Sequence, residues 1–245
     1  MPALIGITTA WSVETWGEMK DQPGGILYNS ARYSNAIYQN GGLPVLIAPP
    51  VEEHEEPLDE IAESILGRVS ALFFSGGGGT RRFTSADMPG LSQQQPVRFY
   101  FEKILLQKAW KRKMPVIGAC RGHQMMVEAL GGKIRVATVT GHQQEDETRT
   151  AHPVDIAEGS RLAALTKKER WDVNSMHCQV AEEVPPDFMV SALSPEGYIE
   201  AMEVASEVFW MSFQFHPEIM CAFDPAARKV IRAFVNAAAD YAKIS

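Results

Sequence analysis

The sequence predicts an α/β fold with a mostly parallel central sheet, helices on both faces and an antiparallel extension of the sheet in the second half. Three observations carry this. Short apolar runs alternate with helix-period segments through the first half of the chain. Strand-like runs then follow one another in the second half with few helical segments between them. A clearly capped amphipathic helix closes the sequence.

In the first half, Leu4 to Thr8, Val45 to Ala48, Ala71 to Phe74 and Val116 to Ala119 read as buried strands. A helix is expected from about Ser30 to Asn40, ending at Gly41-Gly42, which supply the residue type that a helix C-cap prefers. A second starts at Pro57 and carries Leu58, Ile61, Ile65 and Leu66 at helical spacing. A third carries Phe101, Ile104, Leu105 and Ala109 on one face. Strands alternating with helices in this way build parallel sheets covered on both sides.

In the second half, Val154 to Ala157, Trp171 to Asn174, Met189 to Leu193, Tyr198 to Val204 and Val208 to Phe215 read as consecutive strands. The last helix begins with Asp224 as N-cap and Pro225 at the first helical position. Val230, Ile231, Phe234, Val235 and Ala238 share one face of it. No repeat, low-complexity tract or internal linker interrupts the pattern, and residues 1–245 read as a single domain. Gly76 to Pro96 reads as a long loop, of the kind that is often functional in a compact domain.

Composition narrows the function classes. Hydrophobic residues make up 45% of the 245 and charged residues 22%, a soluble globular balance. The formal net charge is −7, which opposes binding to phosphate backbones, so no nucleic acid is expected as a partner. The densest basic run, Lys111-Arg112-Lys113, reads as a helix C-terminus complementing the helix dipole. Three cysteines, Cys120, Cys178 and Cys221, are too few and too odd in number for a disulfide scaffold and indicate a reducing compartment. The N-terminus lacks the basic and apolar segments of a signal peptide, and no run approaches a membrane span. A cytoplasmic protein with no membrane partner is expected.

The chemistry concentrates in three segments. Val116-Ile117-Gly118-Ala119-Cys120-Arg121-Gly122-His123-Gln124 places Gly-x-Cys-x-Gly between a buried strand and a helix. This is a nucleophile elbow with sulfur as the attacking atom. The sharp turn lifts the thiol out of the sheet, the glycines remove side chains that would clash, and the helix N-terminus favours the thiolate. Taken alone, the motif is also compatible with a buried structural cysteine beside a glycine turn. Phe213-Gln214-Phe215-His216-Pro217-Glu218 supplies a base and an orienting carboxylate at the end of a late strand. In an extended segment, residues two apart point the same way, which brings Glu218 to His216. Phe73-Phe74-Ser75-Gly76-Gly77-Gly78-Gly79 runs a strand into glycines whose N–H groups can approach a reacting atom. No Gly-Lys-Ser/Thr ending follows, so a phosphate loop is a poor alternative.

Gly118-Ala-Cys-Arg-Gly-His-Gln124 together with Gln214-Phe-His-Pro-Glu218 resembles the class I glutamine amidotransferase superfamily, and within it the γ-glutamyl-γ-aminobutyrate hydrolases of the C26 cysteine peptidases. Tyr33-Ser-Asn-Ala-Ile37, Gly41-Gly-Leu-Pro44, Val173-Asn-Ser-Met-His177 and Ser194-Pro-Glu-Gly-Tyr-Ile-Glu-Ala201 resemble further segments of that family, so the likeness spans most of the chain. The resemblance implies a flavodoxin-like three-layer sandwich, a Cys120–His216–Glu218 triad, and an oxyanion hole formed by the N–H groups of Gly77 and Arg121. It implies cleavage of a γ-glutamyl amide through a γ-glutamyl thioester, releasing glutamate and an amine, as in polyamine catabolism. The chain departs from the family pattern outside the triad, with further glycines and Thr80 after the oxyanion glycines, Arg98-Phe99 in place of Arg-Asp, and His177-Cys178-Gln179 in place of His-Gly-Gln.

Gln124, one turn past the nucleophile, Ser175 and His177 are the candidate substrate contacts, His177 being equally readable as a structural histidine. Cys178, Cys221, Met125 and Met126 read as packing residues, and Glu52-Glu53-His54-Glu55-Glu56 as a solvated loop. His142, His152 and His177 show no ligand spacing along the chain, so no metal is expected, and no cofactor is indicated. The expected partner is a small γ-glutamyl substrate; a homodimer is compatible with the sequence. Two other classes fit the same motifs. One is a glutaminase subunit passing ammonia to a separate synthase, which 245 residues leave no room for. The other is a non-catalytic regulatory relative, against which the intact triad argues.

Overall fold

A computed structural model describes residues 2–12, 26–50, 57–77, 88–137, 142, 144 and 146–244. Five strands form the parallel half of the main sheet: β1 (Leu4–Thr8), β4 (Leu43–Ile47), β5 (Ala71–Phe74), β6 (Val116–Ala119) and β13 (Trp210–Phe213). They lie in the order β4-β1-β5-β6-β13. From β13 the sheet continues antiparallel through β12 (Ile199–Val204), β11 (Phe188–Leu193), β8 (His152–Ile156) and β9 (Arg170–Val173). A branch leaves β12 at one residue pair, Ala181 opposite Ile199, through β10 (Gln179–Glu183) to β7 (Lys133–Val136). A separate hairpin pairs β2 (Ala10–Ser12) with β3 (Ile26–Tyr28).

Side chains alternate across a strand, so β1, β5, β6 and β13 each feed two cores, whereas β4, expected to be buried, is the edge strand and buries only Ile47. Ile5, Ile7, Ala71, Phe73, Ile117, Ala119 and Phe213 pack against α1 (Ala31–Gln39), α6 (Arg161–Thr166) and α8 (Pro225–Tyr241). Leu72, Phe74, Val116 and Trp210 pack on the other face against α2 (Leu58–Leu66), α4 (Pro96–Lys111) and α5 (Arg121–Ala129). The result is the flavodoxin-like three-layer sandwich. The double-sided burial explains why these strands read as unbroken apolar runs.

The caps follow the sequence closely. Ser30 Oγ accepts from the Arg32 N–H at the start of α1, and Gly41 past its end has φ +91°. Asp224 Oδ1 accepts from the Ala226 N–H at 2.6 Å, with Pro225 in the first position of α8. Pro57 is an extended cap and α2 begins one residue later. α4 ends at Lys111 as the basic run suggested, and Lys108 and Arg112 pair with Glu63 of α2.

The strand between Val208 and Phe215 is shorter than expected, because Gln214 and Phe215 have left the ladder to carry His216 outward. A short helix, α3 (Leu91–Gln94), lies inside the segment read as a loop. Gly78 and Gly79, the 78–87 part of that loop and the acidic run from Glu52 to Glu56 lie outside the described residues. Among the described residues no helix is long and apolar enough to cross a membrane.

Strands β1, β5, β6 and β13 end at the same edge of the sheet. The chain then runs into Thr8-Thr9, Ser75-Gly76-Gly77, Cys120 and Gln214-Phe215-His216 respectively. In open α/β sheets the carboxyl ends of the strands are where ligands bind.

Candidate active site

Cys120 sits between β6 and α5 with φ +53° and ψ −111°, a backbone conformation that L-residues rarely adopt. The strained turn is held from several sides. The Cys120 N–H donates to the Phe213 carbonyl at 2.8 Å, and the Gln124 N–H donates to the Cys120 carbonyl at 3.1 Å. A Cβ on Gly122 would lie 1.9 Å from the Phe74 carbonyl oxygen, and one on Gly118 would lie 2.8 Å from Met126 Sδ. The flanking glycines are therefore required by contact with β5 and α5, as the elbow motif predicts. Arg121 is the first residue of α5, so its N–H has no partner within the helix.

His216 precedes a single helical turn, α7 (Pro217–Met220), and Glu218 lies in its first turn. His216 Nδ1 meets Glu218 Oε1 at 2.6 Å. The two residues do come together, though a helical turn brings them there and not the extended segment expected; Pro217 at its first position starts that turn. Asn174 fixes the His216 backbone from the other side. Its Oδ1 accepts from the His216 N–H at 2.9 Å and its Nδ2 donates to the His216 carbonyl at 3.3 Å. Burial disfavours the charged imidazole, but the Glu218 carboxylate and Cys120 together hold its pKa well above the ordinary histidine value.

The segment expected to supply the oxyanion N–H of Gly77 is built on a buried arginine. Arg98 Nη2 donates to the Ser75 carbonyl at 2.8 Å and Nη1 to the Gly77 carbonyl at 2.9 Å, with Gly76 O at 3.4 Å. All peptides here are trans, so the Gly77 N–H faces away from the Gly76 carbonyl and hence away from Arg98. Gly77 itself has φ +76°. Arg98 also binds Glu102 Oε1 at 2.8 Å, and Glu102 Oε2 receives Arg121 Nη1 at 2.7 Å. Burial pushes the Glu102 carboxyl up, yet the two guanidinium groups hold it below the usual range. Burial and Arg98 bring Arg121 down to about 10, which leaves it charged at neutral pH. Arg98 and Arg121 thus share Glu102 in a buried ion-pair network that ties α4 to α5 and to the Ser75–Gly77 segment.

Gly76 lies against both Cys120 and His216. A Cβ there would be 3.1 Å from His216 Cε1, 3.3 Å from Cys120 Cβ and 3.0 Å from the Tyr33 hydroxyl oxygen. Tyr33 Oη accepts the Gly76 N–H at 2.7 Å. Burial, with Glu218 and Cys120 nearby, keeps this phenol protonated well above its ordinary pKa. A cleft of about 160 Å³ opens here, lined by Tyr28, Tyr33, Gly76, Gly77, His216 and Glu218 among others.

The three candidate substrate contacts are engaged within the protein. Gln124 Nε2 donates to the Gln179 carbonyl at 2.9 Å and to Gln214 Oε1 at 3.2 Å. Ser175 Oγ donates to the His142 carbonyl at 3.1 Å. His177 is buried, with Nδ1 3.2 Å from the Gln179 carbonyl and Nε2 3.1 Å from His142 Nδ1. The expectation that the histidines do not converge is corrected: His142, His152 and His177 meet around Glu200, brought from four separate segments by the antiparallel part of the sheet. Cys178 and Cys221 are free thiols like Cys120. Burial raises the pKa of both, that of Cys221 to about 12. Arg98, Glu102, Tyr33 and Asn174 were not singled out from the sequence as site residues; the spacing of Arg98 and Glu102 four apart on a helix was the available signal.

The family model for Peptidase C26 matches residues 3–218, a span that includes every residue of this constellation. The chain belongs to the peptidase C26 family. Among relatives, Rv2859c of Mycobacterium tuberculosis (strain ATCC 25618 / H37Rv), provisionally named a glutamine amidotransferase, is 34% identical over 98% of this chain and 76% of its own length. The γ-glutamyl-γ-aminobutyrate hydrolase PuuD of Escherichia coli (strain K12) is 26% identical over 84% of each chain. A crystal structure from Thermoplasma acidophilum, of a protein provisionally described as a GMP synthase component, superposes with a TM-score of 0.66 at 16% identity. That superposition covers 100% of this chain and 98% of the other, and it supports the fold of the peptidase C26 member described here.

Proposed function

We propose that this protein hydrolyses the γ-glutamyl amide bond of a small γ-glutamyl amine, such as γ-glutamyl-γ-aminobutyrate, through a thioester on Cys120. The observation that carries the proposal is the elbow cysteine at positive φ facing a His216–Glu218 pair joined at 2.6 Å. The Cys120 thiolate attacks the γ-carbonyl carbon. The carbonyl oxygen gains negative charge and is stabilised by the N–H groups of Gly77 and Arg121. His216 gives its Nε2 proton to the departing amine as the C–N bond breaks. Water then adds to the thioester carbonyl as His216 takes a proton, and the C–S bond breaks to release glutamate. Glu218 keeps the imidazole oriented and favours its charged form.

A second reading is a glutaminase unit that passes ammonia to a synthase, which the name of the mycobacterial relative favours. Both readings use the same thioester and differ in the leaving group and in the need for a partner. The test is kcat/KM of the isolated protein on a panel of γ-glutamyl amines and on glutamine. The hydrolase reading expects at least one γ-glutamyl amine to turn over faster than glutamine. Inert γ-glutamyl amines, with glutamine turnover that rises on adding a co-purified partner, would replace it with the ammonia-donor reading.

A further inference from the structure

Outside the proposed active site, His142, His152, His177 and Glu200 each offer one ligand atom, all within 4.8 Å of one another. We infer that these four residues bind a divalent transition-metal ion of the zinc class, in a closed structural site. The ligand atoms are His142 Nδ1, His152 Nε2, His177 Nε2 and Glu200 Oε1. From Glu200 Oε1 they stand at 3.5 Å (His142), 3.8 Å (His152) and 3.6 Å (His177), and His142 Nδ1 is 3.1 Å from His177 Nε2. A tetrahedral ion with bonds of about 2.0–2.1 Å places its ligand atoms roughly 3.3 Å apart. These four separations lie around that edge, and the two from His152 to the other imidazoles fall within 4.8 Å, so binding draws His152 inward.

The protons are arranged for it. His177 Nδ1 faces the Gln179 carbonyl at 3.2 Å and His152 Nδ1 faces the Pro153 carbonyl at 3.0 Å. A carbonyl only accepts, so both rings carry their proton on Nδ1 and turn an Nε2 lone pair inward. His142 Nε2 is directed to Glu196 at 3.6 Å, which leaves Nδ1 as its inward atom. Metal-bound histidines are oriented in this way, with the distal nitrogen donating to a carbonyl or carboxylate.

A purely hydrogen-bonded cluster accounts for less. One shared proton satisfies the His142–His177 contact, and the Glu200 contacts are longer than hydrogen bonds. Both Glu200 oxygens and His152 Nε2 then remain buried without a partner. The carboxylate is fully buried, and a divalent cation supplies the counter-charge such a site needs. Three nitrogens and one oxygen exclude the oxygen-seeking calcium and magnesium ions.

Four protein ligands close the coordination shell, so the ion acts on structure and does not activate water. It ties together β8, β12, residue 142 and the turn before β10. That turn carries Met176, whose carbonyl lies 3.9 Å from Cys120 Sγ. The ion therefore fixes a segment beside the nucleophile without touching substrate.

The test uses the whole protein, stripped with a chelator and then given zinc(II) or cobalt(II) alone. One ion per chain is expected by elemental analysis, with the intense visible bands of tetrahedral cobalt(II). Zinc at about 100 times its Kd should raise Tm by roughly 5–10 °C. Glu200→Gln and His152→Ala should each weaken zinc binding at least about 10-fold. Should those variants fail to fold, the stripping and restoration of the unsubstituted chain still decide. No stoichiometric ion and no Tm response to either metal would overturn the site. So would full retention of the ion in both variants, since it would then be bound elsewhere.

Discussion

The reactivity proposed for Cys120 depends on its neighbours, and each neighbour can be removed singly. Cys120→Ala should abolish turnover with Tm nearly unchanged, while Cys178→Ala, a half-buried thiol of raised pKa, should keep most of it. His216→Ala should cost about 10²–10⁴-fold in kcat, the range for a lost general acid–base group, and Glu218→Gln should cost less. The order is read from the rates of the two variants; a larger loss in Glu218→Gln would reverse the assigned roles.

The raised pKa of His216 fixes the sign of a pH effect. Its folded value exceeds the ordinary 6.5. The stability it contributes is therefore fully present below about pH 6.5 and is lost as pH rises through the folded value. By the same sign the imidazolium proposed to protonate the leaving amine persists above pH 6.5. The alkaline limb of kcat against pH should lie well above that of a free histidine, and Glu218→Gln should move it downward. An unmoved limb would mean that another group titrates there.

The candidate site residues legible in the sequence were those carried by three short segments, where chemistry and turn geometry fix neighbours along the chain. Tyr33, Arg98 and Asn174 act across distances of 43, 21 and 42 residues, and no local pattern reports such contacts.

At the scale of elements, strands buried on both faces and the capped helices α1 and α8 were legible to within one or two residues, while α6, capped by Ser160 but only six residues long, was not. β7 and β10 were not, because Lys133–Val136 and Gln179–Glu183 are short and mix polar with apolar residues. The β2–β3 hairpin is three residues a side and equally silent. Two element contacts yield measurable costs. Gly122→Ala drives a Cβ into the Phe74 carbonyl, backbone against backbone, so α5 cannot seat on β5. The expected result is a loss of more than about 3 kcal/mol in denaturant unfolding, or failure to fold. Asp224 caps α8 and also accepts the Trp171 indole N–H at 2.7 Å. Asp224→Ala should therefore destabilise by about 2 kcal/mol, toward the upper end for a lost cap, and Asp224→Asn by less. Equal stability of the alanine variant and the parent would remove Asp224 from this double role.

For the whole molecule, the sheet has two tasks. Its parallel half gathers Thr8, Gly76, Cys120 and His216 at one edge, and its antiparallel half gathers His152 and Glu200 beneath the turn at Met176. The first gathering follows from the rule that parallel strands end together, and so was foreseeable from element order. The second depends on the pairing of β8, β11 and β12, which sequence spacing does not encode.

The proposed substrate preference belongs to this scale too, since both amide classes share the glutamyl end and differ only beyond the scissile bond. An additional apolar stem in a fitted pocket contributes about 1–3 kcal/mol, so the preferred γ-glutamyl amine should exceed glutamine by roughly 10–200-fold in kcat/KM. The most direct test of the central claim is covalent. The protein is incubated with a glutamine analogue bearing a diazoketone at the γ position, and intact and peptide masses are measured. One adduct per chain, on the peptide containing Cys120, absent in Cys120→Ala and slow to form in His216→Ala, is the predicted result. Labelling confined to Cys178, or hydrolysis of γ-glutamyl amides that survives Cys120→Ala, would contradict it.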